Sequence, residues 1–170
     1  MTGRKRKSAQ FTVLLVGEGT TDCAFLRHIK SLYISRGCGI SVTVRNAHGK
    51  GPDHVVDYAI RQYRNADYDR VVVLLDTDIE MTTNVKKRAK TKKLQIIGSI
   101  PCLEGLLLKI LDKNVPVTSD ECKAQCGRVL PERLTSPEDY RHLFPKEVID
   151  KRHSHISELA TLINCFSFEE

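Results

Sequence analysis

The chain has 170 residues, of which 41% are hydrophobic and 28% are charged. These values are typical of one globular domain and exclude wholesale disorder and a collagen-like repeat. The longest apolar runs, such as Val71–Leu75, are too short to cross a bilayer. No cleavage-site pattern follows the apolar run Phe11–Val16, so we expect no signal peptide and a soluble, cytoplasmic protein.

The basic residues are concentrated in two segments. Four of them lie in residues 1–10 and six in residues 86–93, and neither segment contains an acidic residue. Because the formal net charge is only +6, the rest of the chain is net acidic. Each segment can be a solvated tail or helix face, or a surface that attracts the phosphate backbone of a nucleic acid, and charge alone does not decide between them.

Predicted strands and helices alternate along the first part of the chain. The apolar run 12–16 predicts a strand buried on both faces, and Ala24 and Phe25 begin a run of apolar residues at helical spacing. Alternating apolar and polar residues at 40–45 predict a half-exposed second strand. An amphipathic helix is predicted to begin at Pro52, since proline suits the first position of a helix.

The alternation continues beyond this helix. A third buried strand is predicted at 71–75, a short fourth strand at 94–97 and an apolar helix at 103–111, with the basic segment between the two strands. This order of elements is typical of a parallel α/β sheet.

We divide the chain into three parts. Residues 1–10 are expected to be a basic tail, residues 11–113 an α/β core, and residues 114–170 a small helical annex packed on the same domain. In the annex the patterns are weaker, and short helical pieces are predicted near 118–126, 137–143 and 153–164.

The six cysteines are expected to be mainly free, buried thiols, as is usual in a cytosolic protein. Cys122 and Cys126 are four residues apart, which places them on one face of a helix. The alternative is that they belong to a zinc site, but the tight Cys-x-x-Cys pairs typical of such sites are absent.

Three acidic residues closely follow predicted strands. Glu18 follows the first strand, and Asp76 and Asp78 follow the third. In an open parallel sheet, ligands bind beyond the carboxyl ends of the strands, and residues two apart in extended chain point to the same side. If the second strand takes the outer edge, the first and third are neighbours and the three carboxylates converge. Such a group suits Mg²⁺ and phosphodiester chemistry, whereas the alternative is that these residues only form turns and helix caps.

At these positions the sequence resembles Toprim domains. Val16–Asp22 is similar to their glutamate motif, and Leu74–Asp78 is similar to their Asp-x-Asp motif. The closer resemblance is to the RloB-like branch, which is related to the OLD-family nucleases, and it spans about residues 12–111. The motifs that match this branch, in chain order, are Glu18–Asp22, Gly49–Gly51, Asp76–Asp78 and Pro101–Glu104.

The resemblance implies a Toprim, Rossmann-like fold, in which a parallel four-stranded sheet carries helices on both faces. It also implies that Glu18, Asp76 and Asp78 hold Mg²⁺ (or Mn²⁺), and that Glu18 transfers the proton. Glu104 would be a fourth catalytic residue; its alternative role is that of a first-turn acid favoured by the helix dipole. Directly after it, Gly105 stands where the family has a bulky apolar residue.

Basic residues are the candidates for binding nucleic acid. Lys50 stands between two glycines after the second strand, where it can reach a phosphate. The basic segment supplies the other candidates, which are Lys86, Lys87, Arg88, Lys90, Lys92 and Lys93.

The leading hypothesis is therefore an Mg²⁺-dependent nuclease that acts on DNA or RNA. A partner ATPase and a role in phage defence are implied by the resemblance alone. The alternative is a non-catalytic, Toprim-like module that binds nucleic acid or a protein. A third hypothesis is a receiver-type phosphoacceptor domain, because Asp76 also ends a third strand, but that fold uses two acids after its first strand and only Glu18 is there.

Overall fold

Four parallel strands form one sheet at the centre of the protein, whose computed structural model describes residues 10–130 and 133–168. The strands are β1 (Phe11–Gly17), β2 (Ile40–Asn46), β3 (Arg70–Asp76) and β4 (Gln95–Ser99), in the order β2-β1-β3-β4. The predicted parallel four-stranded sheet is therefore confirmed, and β1 and β3 are neighbours because β2 lies at the outer edge. The predicted basic tail, except for its last residue, lies outside the described residues.

Helices cover both faces of this sheet, as predicted. They are α1 (Thr20–Tyr33), α2 (Pro52–Ala66), α3 (Thr83–Thr91) and α4 (Leu103–Ile110). Helices α2 and α3 pack on one face, over a core that contains Leu14, Val73 and Leu75. Helices α1 and α4 pack on the other face, over Leu15 and Leu74. Because both faces are covered, β1 and β3 are apolar on both sides, which is the pattern that the sequence shows.

The basic segment forms most of helix α3. The side chain of Thr82 accepts a hydrogen bond from the backbone N–H of Val85 at 3.4 Å and so caps the start of the helix. Val85 and Ala89 are buried against α2 and the sheet, while the charged residues of the segment lie on the exposed sides. The segment is therefore an amphipathic helix with a basic outer surface.

The C-terminal residues form further helices on the α1–α4 face. They are α5 (Ser119–Val129), α6 (Pro137–Tyr140), α7 (Lys146–His153) and α8 (Ser157–Asn164). The sequence predicts the positions of α5 and α6, and its predicted piece at 153–164 contains α8, but it misses α7. Helix α7 is hard to predict because Ile149 is its only buried residue. Among the described helices, none is long and apolar enough to span a membrane.

Tyr140 links these C-terminal helices to the rest of the core. Its ring is fully buried and packs against Phe25 of α1 and Phe144, with centroid distances of 5.7 and 5.8 Å. Its hydroxyl donates hydrogen bonds toward the carbonyl oxygens of Thr21 at 3.2 Å and Leu134 at 3.3 Å. The first of these contacts holds the start of α1, which also carries part of the site described below.

We expect Tyr140→Phe to lower the free energy of unfolding by about 1 kcal/mol, because two part-buried carbonyl oxygens lose the hydroxyl donor that they share. Urea unfolding of this variant and of Tyr58→Phe measures the effect. Tyr58 is half-buried and is the control, since its hydroxyl makes no hydrogen bond to the described residues. Equal stabilities of the two variants would contradict the expected role of the Tyr140 hydroxyl.

All six cysteines are free thiols, and five of them are buried. Cys122 and Cys126 lie on the buried side of α5, as their spacing predicts. Burial raises the pKa of the Cys126 thiol to about 12, so it is uncharged at neutral pH. Only Cys38, in the loop before β2, is exposed.

Candidate functional site: an acidic centre at the carboxyl edge of the sheet

The carboxyl ends of β1, β3 and β4 meet at one edge of the sheet. Gly17 pairs with Leu74, and Asp76 pairs with Ser99, so the three strands end close to one another. Glu18 directly follows β1, and Asp76 is the last residue of β3. Helices α1 and α4 begin at the same edge, which is the usual place of a ligand site in an open parallel sheet.

The start of α1 lies very close to the end of β1. A Cβ atom at Gly17 would be 2.9 Å from Cβ of Asp22 and 3.0 Å from Sγ of Cys23, so only glycine fits there. Asp22 closes the turn, since its Oδ2 accepts a hydrogen bond from the backbone N–H of Gly19 at 2.9 Å. The result is that Asp22, in the first turn of α1, is brought beside the end of the strand.

Asp76 connects β3 to the start of α4. Its Oδ1 accepts a hydrogen bond from the backbone N–H of Leu103 at 2.9 Å, and this is one of the N–H groups that a helix leaves without an internal partner. The next residue in the helix is Glu104, which is half-buried. The same hydrogen bond therefore fixes the start of the helix and brings Glu104 toward the carboxyl edge.

Electrostatic interactions connect four of these carboxyl groups. Burial, followed by the charge of Asp22, raises the pKa of Asp76 to about 7, and the charges of Glu104 and Glu18 add to this. Burial also raises the pKa of Asp22 to about 6, with further contributions from Glu18 and Glu104. The hydrogen bonds from the backbone to both aspartates act in the opposite direction. We call Glu18, Asp22, Asp76 and Glu104 the acid cluster.

Three of the four predicted catalytic residues belong to the acid cluster, and Asp78 does not. Asp78 is exposed, and its Oδ2 accepts a hydrogen bond from Oγ of Ser119, at the start of α5, at 2.9 Å. It is not among the charges that raise the pKa of Asp76. Strand β3 ends at Asp76, so the same-side geometry of an extended chain does not carry on to Asp78.

Asp78 instead lines a neighbouring groove of about 540 Å³ between the end of β3 and the start of α5. Ile100 and Val117 also line this groove, and their side chains are 61% and 89% exposed. The groove therefore offers apolar as well as acidic surface beside the acid cluster.

Asp22 is the site residue that the sequence reasoning misses. The sequence does contain a signal for it, because Asp22 is the last residue of the motif Glu18–Asp22. An acid in the first turn of a helix is common, however, and stabilises the helix without any functional role. Only the close contact of α1 with Gly17 shows that this carboxyl group lies beside Asp76.

Lys50 lies in a loop at the same edge. The backbone N–H of Gly49 donates a hydrogen bond to the carbonyl oxygen of Glu18 at 2.8 Å, which holds the loop against the end of β1. The four residues from His48 to Gly51 all have positive φ, between 63° and 82°. Glycine adopts this conformation freely, while His48 and Lys50 adopt it at a cost that is often found at functional sites. Lys50 is exposed and directly follows the glycine that contacts Glu18.

The basic residues of the segment 86–93 extend from this edge along α3. Lys86 pairs with Glu80 at 2.7 Å on the surface, and Arg88 pairs with Asp57 of α2 at 2.7 Å. The other four, all exposed, are Lys87, Lys90, Lys92 and Lys93. All six predicted residues therefore lie on the outer surface of the α2–α3 face.

Oxygen ligands of the acid cluster suit a hard divalent cation such as Mg²⁺. Within residues 10–130 and 133–168, no three Asp, Glu, His or Cys side chains already converge as a group that could hold a metal ion. This does not conflict with Mg²⁺, which usually keeps several waters and is bound by one or two carboxylates plus phosphate oxygens of a substrate. The oxygen ligands are therefore compatible with an open Mg²⁺ site in which waters, or the phosphate oxygens of a substrate, take the remaining positions.

The raised pKa values predict how Asp22 and Asp76 contribute to the pH dependence of stability when divalent cations are absent. Asp22 and Asp76, with pKa values of about 6 and about 7 against 3.8 for a free aspartate, bind protons more tightly in the folded protein than in the unfolded chain. Their contribution to stability is therefore largest below about pH 4, falls as the pH rises to about 7, and then levels off. His28, whose pKa burial lowers, acts in the opposite direction below its ordinary value of 6.5.

The variant Asp76→Asn separates the contribution of Asp76 to the pH dependence of stability from that of His28, because it retains His28 and loses one titrating carboxyl group. In EDTA, we expect it to be more stable than the wild type by on the order of 1 kcal/mol at pH 8, after allowance for screening by solvent, and by almost nothing near pH 4. Urea unfolding at both pH values measures the two differences. The same difference at both pH values would contradict the raised pKa of Asp76.

Comparison with known proteins identifies one family. The model of the family described as RloB-like protein matches residues 13–163, which include the sheet, the acid cluster and most of the C-terminal helices. No curated protein and no solved structure matches the chain. Because the family model covers most of the sequence, the chain belongs to the RloB-like family.

Proposed function

We propose that this protein is a Mg²⁺-dependent nuclease that hydrolyses phosphodiester bonds of a nucleic acid at the acid cluster, in the manner of a Toprim domain. The observation that carries the proposal is the placement of Glu18 and Asp76 at the ends of β1 and β3, with Asp22 and Glu104 in the first turns of α1 and α4 at the same edge. Burial and the charges of the other acids, which raise the pKa of Asp22 and Asp76, agree with this placement. Four carboxyl groups gathered at the ligand edge of a sheet repel one another, and a bound cation removes that repulsion. Clusters of perturbed groups of this kind are typical of functional sites.

Asp76 and Glu18 are the residues that we expect to hold the metal ion. Asp76 uses Oδ1 for the start of α4, and no hydrogen bond from the described residues reaches its Oδ2. Glu18 directly follows β1 and is half-buried, so its longer side chain can reach the same ion. When bound, Mg²⁺ (or Mn²⁺) polarises the scissile phosphate and lowers the pKa of the attacking water.

Asp22 and Glu104 complete the acid cluster from the first turns of α1 and α4. Asp22 is nearly buried and closes the turn before α1, so we assign it a positioning role that also strengthens the local negative field. Glu104 stands at the start of α4, where it can accept a proton or bind a second ion. Asp78 is expected to contribute only through the groove that it lines with Ile100.

Basic residues around the acid cluster would bind the nucleic-acid substrate. Lys50 reaches the same edge through the loop that Gly49 holds against Glu18, and α3 adds a cationic surface next to it. Such surfaces attract the phosphate backbone without reading its sequence. The partner ATPase and the role in phage defence remain part of the proposal, and rest on the resemblance to RloB-like and OLD-type proteins.

The second candidate function is a non-catalytic module that binds nucleic acid or a protein. The separation of Asp78 from the acid cluster favours it, because the Asp-x-Asp motif then provides only one carboxylate to that cluster. In such a module the basic surface of α3 would bind the ligand, and the acid cluster would be idle.

Incubation of the purified protein with end-labelled RNA and DNA, in Mg²⁺, in Mn²⁺ and in EDTA, separates the two functions. We expect cleavage of one or both substrates with either metal and none in EDTA. Binding without cleavage in any metal would favour the module. Cleavage that continues undiminished in EDTA would contradict the metal-dependent mechanism.

A further inference from the structure

A cationic pocket of about 150 Å³ lies between α2 and α3. Its lining residues are Ile60, Arg64, Arg88, Thr91 and Lys92. Three of these five residues are basic and none is acidic, so the pocket favours an anion. Arg64 comes from α2 and the other two basic residues from α3 and its end, so two different helices supply the charges.

This pocket is separate from the acid cluster. Helix α2 begins at the carboxyl edge of the sheet and ends at Ala66, shortly before β3 begins, and α3 likewise ends at Thr91 before β4. Arg64 and Lys92 therefore lie toward the opposite edge. At 1.5 Å per residue, Arg88 and Lys92 are roughly 8 to 14 Å along α3 from its first residue.

Most of the positive charge in the pocket is not neutralised by the protein. Nη1 of Arg88 lies 2.7 Å from Oδ1 of Asp57, with the two side chains 44% and 33% exposed. Arg64 and Lys92 are exposed, and neither forms an ion pair with the described residues. The carboxyl ends of α2 and α3 each contribute about half a negative charge, which the three basic side chains outweigh even after the contribution of Asp57.

The size of the pocket limits what it can hold. Pockets that enclose a whole small molecule usually measure about 300–1,000 Å³, so this one fits a single group of a larger ligand. A phosphate group matches it in charge, and arginine binds phosphate oxygens through two parallel N–H groups.

We propose that the α2–α3 pocket binds one phosphate group of a nucleic-acid strand, at a position remote from the acid cluster. The identity of the ligand as a strand rests on the proposed function, while the phosphate chemistry rests on the pocket itself. At about 3.4 Å per nucleotide, a strand that enters the acid cluster would reach Arg64 and Lys92 after roughly three nucleotides or more. The pocket would then fix the direction in which the strand crosses α3.

Fluorescence anisotropy in EDTA tests this, because binding is then measured without cleavage. The probe is a labelled oligonucleotide of about 16 nucleotides. We expect Arg64→Gln and Lys92→Gln each to weaken its binding about five- to tenfold and to reduce the slope of log K against log salt by about 1. The matched control is Arg61→Gln, an exposed arginine on the same helix that does not line the pocket, which we expect to change binding less than twofold.

Competition by inorganic phosphate and by a nucleoside monophosphate distinguishes the sources of the phosphate. Weak displacement by both, at millimolar concentration, supports a strand. If micromolar phosphate or nucleoside monophosphate displaces the oligonucleotide from the wild type but not from Arg64→Gln, the pocket is supported and its ligand is a free phosphate compound. Equal effects of Arg64→Gln and Arg61→Gln, or no binding of any of the three probes, would overturn the proposal.

The test of the pocket by oligonucleotide binding does not depend on whether the protein cleaves nucleic acid. An effect of Arg64→Gln in a protein without nuclease activity would uphold the pocket and reject the proposed reaction. If the wild type cleaves nucleic acid but the Arg64→Gln and Arg61→Gln variants bind the oligonucleotide equally well, the proposed reaction is upheld and the pocket is rejected. Both arginines are exposed, so urea unfolding of the two variants is expected to match that of the wild type and confirms that they are folded.

Discussion

Asp76→Asn is expected to reduce Mg²⁺-dependent cleavage by at least about 100-fold, because the change removes a charged metal ligand without altering the shape of the side chain. The asparagine Oδ1 can still accept the hydrogen bond from the backbone N–H of Leu103, so α4 keeps its position. Steady-state cleavage of the preferred substrate, compared with wild type over a range of Mg²⁺ concentrations, measures the loss.

A control variant and a test of folding show whether the loss of cleavage comes from the metal site. Asp67→Asn is the matched control: Asp67 is exposed after α2, away from the acid cluster, and its left-handed conformation suits asparagine equally well. We expect it to cleave like the wild type. Asp76→Asn should also remain folded, since the loss of a repelled carboxylate stabilises the metal-free protein at neutral pH. Full activity in Asp76→Asn would remove the acid cluster from the mechanism.

Gly105→Ala is expected to destabilise the protein by about 2 kcal/mol, although alanine normally stabilises a helix relative to glycine. A Cβ atom at this position would lie 2.6 Å from the carbonyl oxygen of Ile100 and 2.9 Å from Cδ of Pro101. The helix would have to move away from the turn that precedes it, and Glu104 would move with it. We therefore expect a loss of cleavage as well as of stability.

Gly127→Ala is the control for this effect. Gly127 is also inside a helix, α5, but a Cβ atom there meets nothing within 4 Å. Its substitution should raise the free energy of unfolding by up to about 1 kcal/mol, as expected from helix propensity alone. Urea unfolding of both variants gives the comparison, and a stabilising effect at both positions would contradict the close packing of α4.

Gly105 also explains a departure from the family pattern. In the family pattern that the sequence resembles, a bulky apolar residue follows this glutamate, and a side chain of that size does not fit at Gly105. Helix α4 instead packs directly on the backbone of Ile100 and Pro101, so the start of this helix is fixed by close contact. The position of Glu104 is consequently set by the absence of a side chain at the next residue.

The sequence predicts the sheet well because its strands carry a strong local signal. Strands β1 and β3 contain the uninterrupted apolar runs Val13–Val16 and Val71–Leu75, and the acids Glu18 and Asp76 mark the carboxyl edge. Helix α7 lacks such a signal, because a single residue, Ile149, is buried. Its existence depends on packing with distant residues, which periodicity does not reveal.

The site is predicted less completely for a similar reason. Glu18 and Asp76 follow strands whose order can be inferred, so their proximity can be expected from sequence. The role of Asp22 depends on how closely α1 approaches Gly17, and the separate position of Asp78 depends on its hydrogen bond with Ser119, which lies 41 residues later in the chain. Contacts of this kind are set by the tertiary structure and leave no mark in the local pattern.

Calorimetric titration with Mg²⁺, and with Mn²⁺ as a second probe, tests the central claim most directly, because it asks whether the acid cluster binds a divalent cation at all. The proteins compared are the wild type, the double variant Glu18→Gln with Asp76→Asn, and the control Asp67→Asn, each at pH 8 and without substrate. We predict that the wild type and Asp67→Asn bind the cation equally, and that the double variant binds it at least tenfold more weakly. Equal binding by all three proteins, or none by the wild type, would contradict the account.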